Sequence, residues 1–328
     1  MSWFASPLLL FTSVLLAQPP QYTVELLPPL AGGVTSFGSG VNINGAVAGF
    51  SSSSFNQTAV RYQQGVALSL GIPANASATL GAGINNSGHV VGYAVTPTGN
   101  RAFRYVNQIL LLTQPAGAYW TEASGINSSG QIVGSTMTNK GHHAVRWTNG
   151  TPFIQPVSGN NIKYAQAYAI NDSGWMTGCE GPYSSMAQAV LWRNLDTPVQ
   201  LGLLGGSYSC GAALNGRGKV VGQAKLSNNQ TRAFLWVSAN PGMINLGTIN
   251  GSDYSAAWGI NSSDQIVGSS GGRAVMWIGA QVYDLNNYIP ANSGWILNDA
   301  RAISDGGHVA GIGFINGQQR GFLLKPIP

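Results

Sequence analysis

Ten carboxylates, four histidines and two cysteines are the main acid–base and metal-binding groups in a chain of 328 residues, so their spacing decides what chemistry is open. His142 and His143 are adjacent, and neighbours in a strand point to opposite faces, while His89 and His308 stand alone. No His-Glu-x-x-His and no paired Cys-x-x-Cys occurs. The turn acids Asp172, Asp264 and Asp305 supply too few oxygens per loop for Ca²⁺. Gly268-Ser269-Ser270-Gly271-Gly272 spells Gly-x-Ser-x-Gly, yet no helix follows to make a nucleophile elbow. A phosphate-cradling Gly-rich loop before a helix is also missing. These patterns assign no catalytic residue, no metal ligand and no cofactor. Glycoside cleavage needs two carboxylates flanking one bond, and Glu122, Glu180 and Asp253 are placed to reach a common face. A hydrolase or lyase therefore stays open as an alternative.

What must position these residues is a repeat. Ile126-Asn127-Ser128-Ser129-Gly130-Gln131-Ile132-Val133-Gly134 has six further copies, beginning at Val41, Ile84, Ile170, Leu214, Ile260 and Ile303. Each opens on an apolar residue, turns through polar residues, and ends on two mostly aliphatic positions and a Gly. A fixed period of about 40–45 residues marks a repeat architecture. Each unit reads as four short strands. The first is rich in small residues (118–126, 164–170) and the second is the Gln-Ile-Val-Gly type. The third carries an aromatic, as in His143-Ala144-Val145-Arg146-Trp147, and the fourth is short (243–246, 282–285). Alternation supports strands. Asn149-Gly150 and Pro241-Gly242 signal turns between third and fourth strands.

Four antiparallel strands per repeat make the blade of a β-propeller. Small first strands suit the crowded axis, and Trp147, Trp192, Trp236 and Trp277 suit the outer region where blades diverge. The last repeat stops after its third strand, while an orphan strand, Tyr22-Thr23-Val24-Glu25-Leu26, precedes the first. Supplying the missing strand from the N-terminus closes the ring and hides its free edges. The expectation is all-β: a seven-bladed β-propeller of four-stranded antiparallel blades, a single domain over 18–328.

Alternation sends the uniform Asn-x-Ser-Gly turns to one face and long, dissimilar loops, such as 50–58, 93–100, 179–188 and 223–231, to the other. Variable loops on a rigid scaffold are where binding resides. Trp120, Tyr164, Tyr208 and Tyr254 recur there six residues before the repeat anchor, beside Arg101, Arg232 and Arg273 at third-strand starts. Such a ring can stack on sugars and hydrogen-bond their substituents. The competing reading is that the aromatics plug gaps between blades and the Arg residues bond loop carbonyls. Glu122 and Glu180, unique to single repeats, are the candidates for specific contacts. Cys179 and Cys210 fall near this face in neighbouring repeats, and a disulfide between them is expected.

Residues 1–17, MSWFASPLLLFTSVLLA, form an apolar stretch shorter than a bilayer span and of signal-peptide length, with cleavage expected near Ala17. The mature chain contains no other segment long enough to span. The expected location is secreted, periplasmic or cell-surface, and the expected state is a monomer. Charged residues are 8% of the chain, and the net charge of +5 is scattered without a run, unlike nucleic-acid binders.

The motifs together resemble the bacterial HAF-repeat family of probable extracellular repeat proteins, named for His-Ala-Phe in the third strand. This chain has Arg-Ala-Phe at Arg101–Phe103 and Arg232–Phe234, and His-Ala-Val at His143–Val145. Gly-Ile-Asn-x-Ser-Gly-x-Ile-Val-Gly stands at Gly125–Gly134, and Leu246-Gly247 supplies the accompanying Leu-Gly. No literal His-Ala-Phe is present. The resemblance implies an exported repeat protein with no activity to carry over. The expected function is a binding or interaction module for an extracellular polymer such as a carbohydrate, with a cell-envelope protein as another partner class. A purely structural scaffold is a further alternative.

Overall fold

The computed structural model describes residues 18–194 and 196–327. The expected signal peptide, residues 1–17, lies outside the described residues. The described residues are all-β apart from three short 3₁₀ turns. After β1 (Tyr22–Leu27), β2–β5 fill residues 35–69, β6–β9 78–111 and β10–β13 118–154. Then β14–β17 fill 164–202, β18–β21 205–245, β22–β25 255–284 and β26–β28 295–326. Each repeat folds on itself as an antiparallel meander, the arrangement of small sheets found in a β-propeller.

The sheets differ in number from the sequence expectation of seven separate blades. Five sheets are four-stranded, and β10–β17 form one eight-stranded sheet. The join is a single parallel pairing of His142 in β12 (Gly141–Thr148) with Tyr164 in β14 (Tyr164–Ile170). In most repeats a buried hydroxyl five residues before the anchor accepts from a third-strand N–H of the preceding repeat. Ser36 accepts from Gly321, Thr79 from Ala59, Thr121 from Ala102, Ser209 from Ala189 and Ser255 from Ala233, all at 2.9–3.0 Å. The fourth repeat has Ala165 there. The seventh repeat has Asn298 there, and its sheet stays separate. At the join, His142 N donates to Lys163 O at 3.0 Å.

The N-terminal strand β1 pairs antiparallel with β28 (Gln318–Pro326), from Tyr22 opposite Pro326 to Leu27 opposite Gly321. It completes the last sheet. Ser36 Oγ donates to Leu27 O at 2.6 Å, and Leu27, Val41 and Val47 share a core cluster with Ala310 and Leu323. First and last repeats are thus packed together and the ring is closed.

Apolar clusters lie between neighbouring sheets rather than at one centre. Val91 and Ala102 of the second repeat pack on Ile126, Val145 and Trp147 of the third. The buried third-strand Trp147 and Trp192 direct Nε1 at Thr113 O and Pro156 O, 2.7 and 2.8 Å away in the linkers before their own repeats. This satisfies the one polar atom of a large buried ring.

The repeated Asn after the anchor does two jobs. Its Oδ1 closes the turn, as Asn171 does by accepting from Ser173 N and Trp175 N. Its Nδ2 donates to the carbonyl of the same residue in the next repeat, from Asn42 to Asn85 and so on through Asn127, Asn171, Asn215 and Asn261, ending on Ser304 O, at 3.0–3.3 Å. Buried side chains thus buckle each repeat to the next on the turn face, from the first to the seventh.

Candidate functional site

The Gly that closes each repeat motif shapes the middle of the ring. A Cβ on Gly49, Gly92, Gly134, Gly178, Gly222, Gly268 or Gly311 would lie 1.8–2.1 Å from a first-strand carbonyl oxygen, that of Phe37, Leu80, Glu122, Gln166, Cys210, Ala256 or Asp299 respectively. Only glycine admits that approach. Two residues further along the first strand, every repeat carries a β-bulge in register with it. The extra residue is Ser39, Ala82, Ser124, Tyr168, Ala212, Trp258 or Arg301. A bulge re-aims its side chain out of the alternating pattern.

All seven bulge residues line one cavity of about 660 Å³. That volume falls in the ~300–1,000 Å³ range of small-ligand sites. Its wall is uneven. Repeats one to three contribute Ser39, Ala82 and Ser124, while repeats four, six and seven contribute Tyr168, Trp258 and Arg301. Four aromatics from neighbouring positions complete it: Phe37, Phe50, Tyr93 and Tyr208. Phe37 and Phe50 stack at 4.4 Å between centroids.

Two polar groupings stiffen this wall. Tyr168 stands beside Tyr164, which donates to Gln166 Oε1 at 2.7 Å. Burial raises the Tyr168 hydroxyl well above the usual range, reinforced by the nearby Tyr164, Tyr208 and Glu122. In the other grouping, the Arg301 guanidinium lies 4.9 Å over the Trp258 ring and bonds Asp299 Oδ2 at 2.8 Å. Burial raises the Asp299 carboxyl, against the pull of Arg301, Trp258 and Ser269. Trp258 is near enough to exert that pull, yet neither its Nε1 nor Asp299 Oδ1 has a partner in hydrogen-bonding geometry. Glu122 accepts from Asn100 Nδ2 at 2.6 Å, and burial holds its carboxyl above the normal range despite that bond.

The residues expected from sequence are distributed as follows. Tyr208 lines the cavity, and Tyr164 stands behind Tyr168. Trp120 and Tyr164 flank the His142 ring, at 5.5 and 4.8 Å. Tyr254 is 40% exposed, outside the cavity wall. Arg232 bonds Thr231 O, Asp253 O and Gln230 Oε1, Arg273 pairs with Asp284 at 3.3 Å, and Arg101 is half-buried in its strand. None of these three lines the cavity. Glu180 is buried and accepts from Ser158 N at 3.2 Å, away from the cavity wall, and burial raises its carboxyl. Cys179 and Cys210 are disulfide-bonded and tie the fourth repeat to the fifth, with Cys210 on the cavity wall. Sequence reasoning missed Tyr168, Trp258 and Arg301. The signal was there, because the position two before the anchor is the one place in the motif where Ser, Ala, Tyr, Trp and Arg replace one another.

Among the described residues, no helix is long and apolar enough to cross a membrane, and no three or more His, Cys, Asp or Glu gather as a metal site. No family model matches the sequence, and no curated protein matches it. Solved structures do. The chain is similar to virginiamycin B lyase from Staphylococcus aureus, with TM-score 0.59 and 11% identity over 94% of this chain and 99% of that one. It is similar to an oligogalacturonate lyase in complex with manganese, with TM-score 0.57 and 8% identity over 94% and 97%. A puromycin-hydrolyzing peptidase from Mycobacterium tuberculosis gives TM-score 0.53 and 12% identity over 93% of this chain and 56% of that one. The shared feature is the β-propeller fold. At such identities the likeness extends to no reaction or substrate.

Proposed function

We propose that this chain is an exported binding module that takes a ring-shaped extracellular ligand, a sugar unit of a polymer, into the cavity on the ring axis. The observation that carries the proposal is the convergence of seven bulge side chains on one cavity walled by six aromatic rings. Aromatic faces stack on the C–H faces of sugars, and tyrosine hydroxyls and amides meet their substituents. The apolar stretch 1–17 and the paired cysteines support export of a single domain over 18–328, and the third-strand motifs support membership of the HAF-repeat family.

The eight-stranded sheet is read here as two blades touching at one residue pair, which makes seven. An equivalent parallel bridge, Thr231 with Tyr254, links the fifth and sixth repeats without merging their sheets. Seven repeats then bring seven equivalent side chains to the axis.

The test is a glycan and polysaccharide screen on the chain beginning at Gln18, followed by Tyr168→Ala and Trp258→Ala. Binding competed by free sugar and lost in both variants supports the reading. Binding unaffected by either variant moves the site off the axis, and a blank screen on folded protein removes the carbohydrate. A lyase or hydrolase reading has one observation behind it, the raised Glu122 and Asp299 carboxyls. Product release from a bound oligosaccharide, abolished by Glu122→Gln, would favour it.

A further inference from the structure

We infer that the cavity selects an acidic sugar, a hexuronate, whose carboxylate docks on Arg301. This rests on the cavity being the ligand site and adds which chemical class it takes. Arg301 is the one charged side chain on the cavity wall among the described residues. A guanidinium presents five N–H donors in a fixed fork that matches a carboxylate. Arg301 Nη2 forms an ion pair with Asp299 Oδ2 at 2.8 Å, the one ion pair Arg301 has among the described residues.

The order of the two charges matters. The Asp299 side chain is 14% exposed and the Arg301 side chain 43%. The acid stands behind and the cation in front, so an entering ligand meets guanidinium. Trp258 beneath and Asp299 behind hold the fork in place before the ligand arrives. That lowers the ordering cost of a long side chain on binding. Around it the wall is aromatic and uncharged, with Ser39, Ser124 and Gln223 as the remaining polar side chains besides the tyrosine hydroxyls and the Trp258 indole N–H. A sugar ring fits the aromatic part, and one carboxylate per ring fits the single cation. A polyanion carrying several charges per ring would leave the others unpaired against apolar surface, which costs binding.

The probes are trimers of galacturonate, glucuronate and mannuronate, each measured by calorimetry beside its carboxyl-reduced neutral counterpart, which differs only in the charged group. At least one hexuronate should bind about tenfold or more tightly than its neutral partner, the size of one good charge-assisted contact. Arg301→Gln should abolish that preference while changing the neutral trimer less than about twofold, leaving the stacking intact. Asp299→Asn keeps a side-chain oxygen behind the fork while removing the charge that competes for it, and should strengthen the hexuronate, a change opposite in sign to any loss through poor folding. Equal affinity for acidic and neutral trimers, or parallel loss of both in Arg301→Gln with Asp299→Asn no tighter, overturns the hexuronate assignment and leaves the carbohydrate reading standing. No binding by any trimer to the folded chain overturns both.

Discussion

Replacing Asn171 with Ala tests how the ring is held together. Asn171 is 7% exposed and makes three hydrogen bonds: Nδ2 to Asn215 O at 3.0 Å, and Oδ1 from Ser173 N at 3.1 Å and Trp175 N at 3.0 Å. At about 1 kcal/mol net for each, the substitution should cost roughly 3 kcal/mol. The chain contains its own control, because the seventh repeat has Ser304 at this position. Ser304 Oγ accepts from His308 N at 3.2 Å and, among the described residues, makes no hydrogen bond to another repeat. Asn171→Ser should therefore keep one turn bond and lose about 2 kcal/mol. The assay is urea unfolding followed by tryptophan fluorescence, with unchanged m-values required before midpoints are compared. An Ala variant within about 0.5 kcal/mol of the parent, the usual range for an uninvolved surface change, would refute the buckle. A Ser variant as damaged as Ala would show that the turn bonds contribute nothing.

Four further outcomes are expected. Gly222→Ala would set a Cβ 2.0 Å from Cys210 O, so it should destabilise by more than the ~1–3 kcal/mol of ordinary overpacking and displace the bulge at Ala212, read by denaturation and by loss of ligand binding. Reducing Cys179–Cys210, or Cys210→Ser, releases a loop with a sequence separation of 31 and should cost about 3–4 kcal/mol on the chain-entropy account, measured as a lower urea midpoint. Glu122 has a folded-state pKa raised by burial, so protonation favours the folded chain and this site's contribution improves as pH falls from neutrality through that raised value. Glu122→Gln should then unfold at higher temperature than the parent at pH 7 and match it near pH 4. Thr121→Val leaves the buried Ala102 N–H without its acceptor, at about 1–3 kcal/mol, with the loss seen again as a urea midpoint.

The repeat period, the four strands of each unit and the closing role of Tyr22–Leu27 were legible because they rest on alternation and on an unpaired strand at each end. The sheet count departed from expectation at the junction of the third and fourth repeats, where His142 pairs with Tyr164. The site was harder to read. Counting strand positions by twos places Trp120, Tyr164, Tyr208 and Tyr254 on one row, but a bulge adds a residue and breaks the count. Tyr168, Trp258 and Arg301 consequently reach the axis from a position that alternation does not single out. Arg232 and Arg273 recur because they bond neighbouring loop and carboxylate oxygens, which is a property of the scaffold.

The pairing of Tyr22 with Pro326 has a mechanical consequence. Because β1 and β28 run antiparallel, the two chain ends leave the closing pair side by side. A pull that separates them loads the pair at its Tyr22–Pro326 end, and its hydrogen bonds part in succession rather than together. Tension applied between the termini should therefore peel the ring open from this one place at low force, while tension applied across any of the Asn-linked junctions must break a buckle and a packed interface at once.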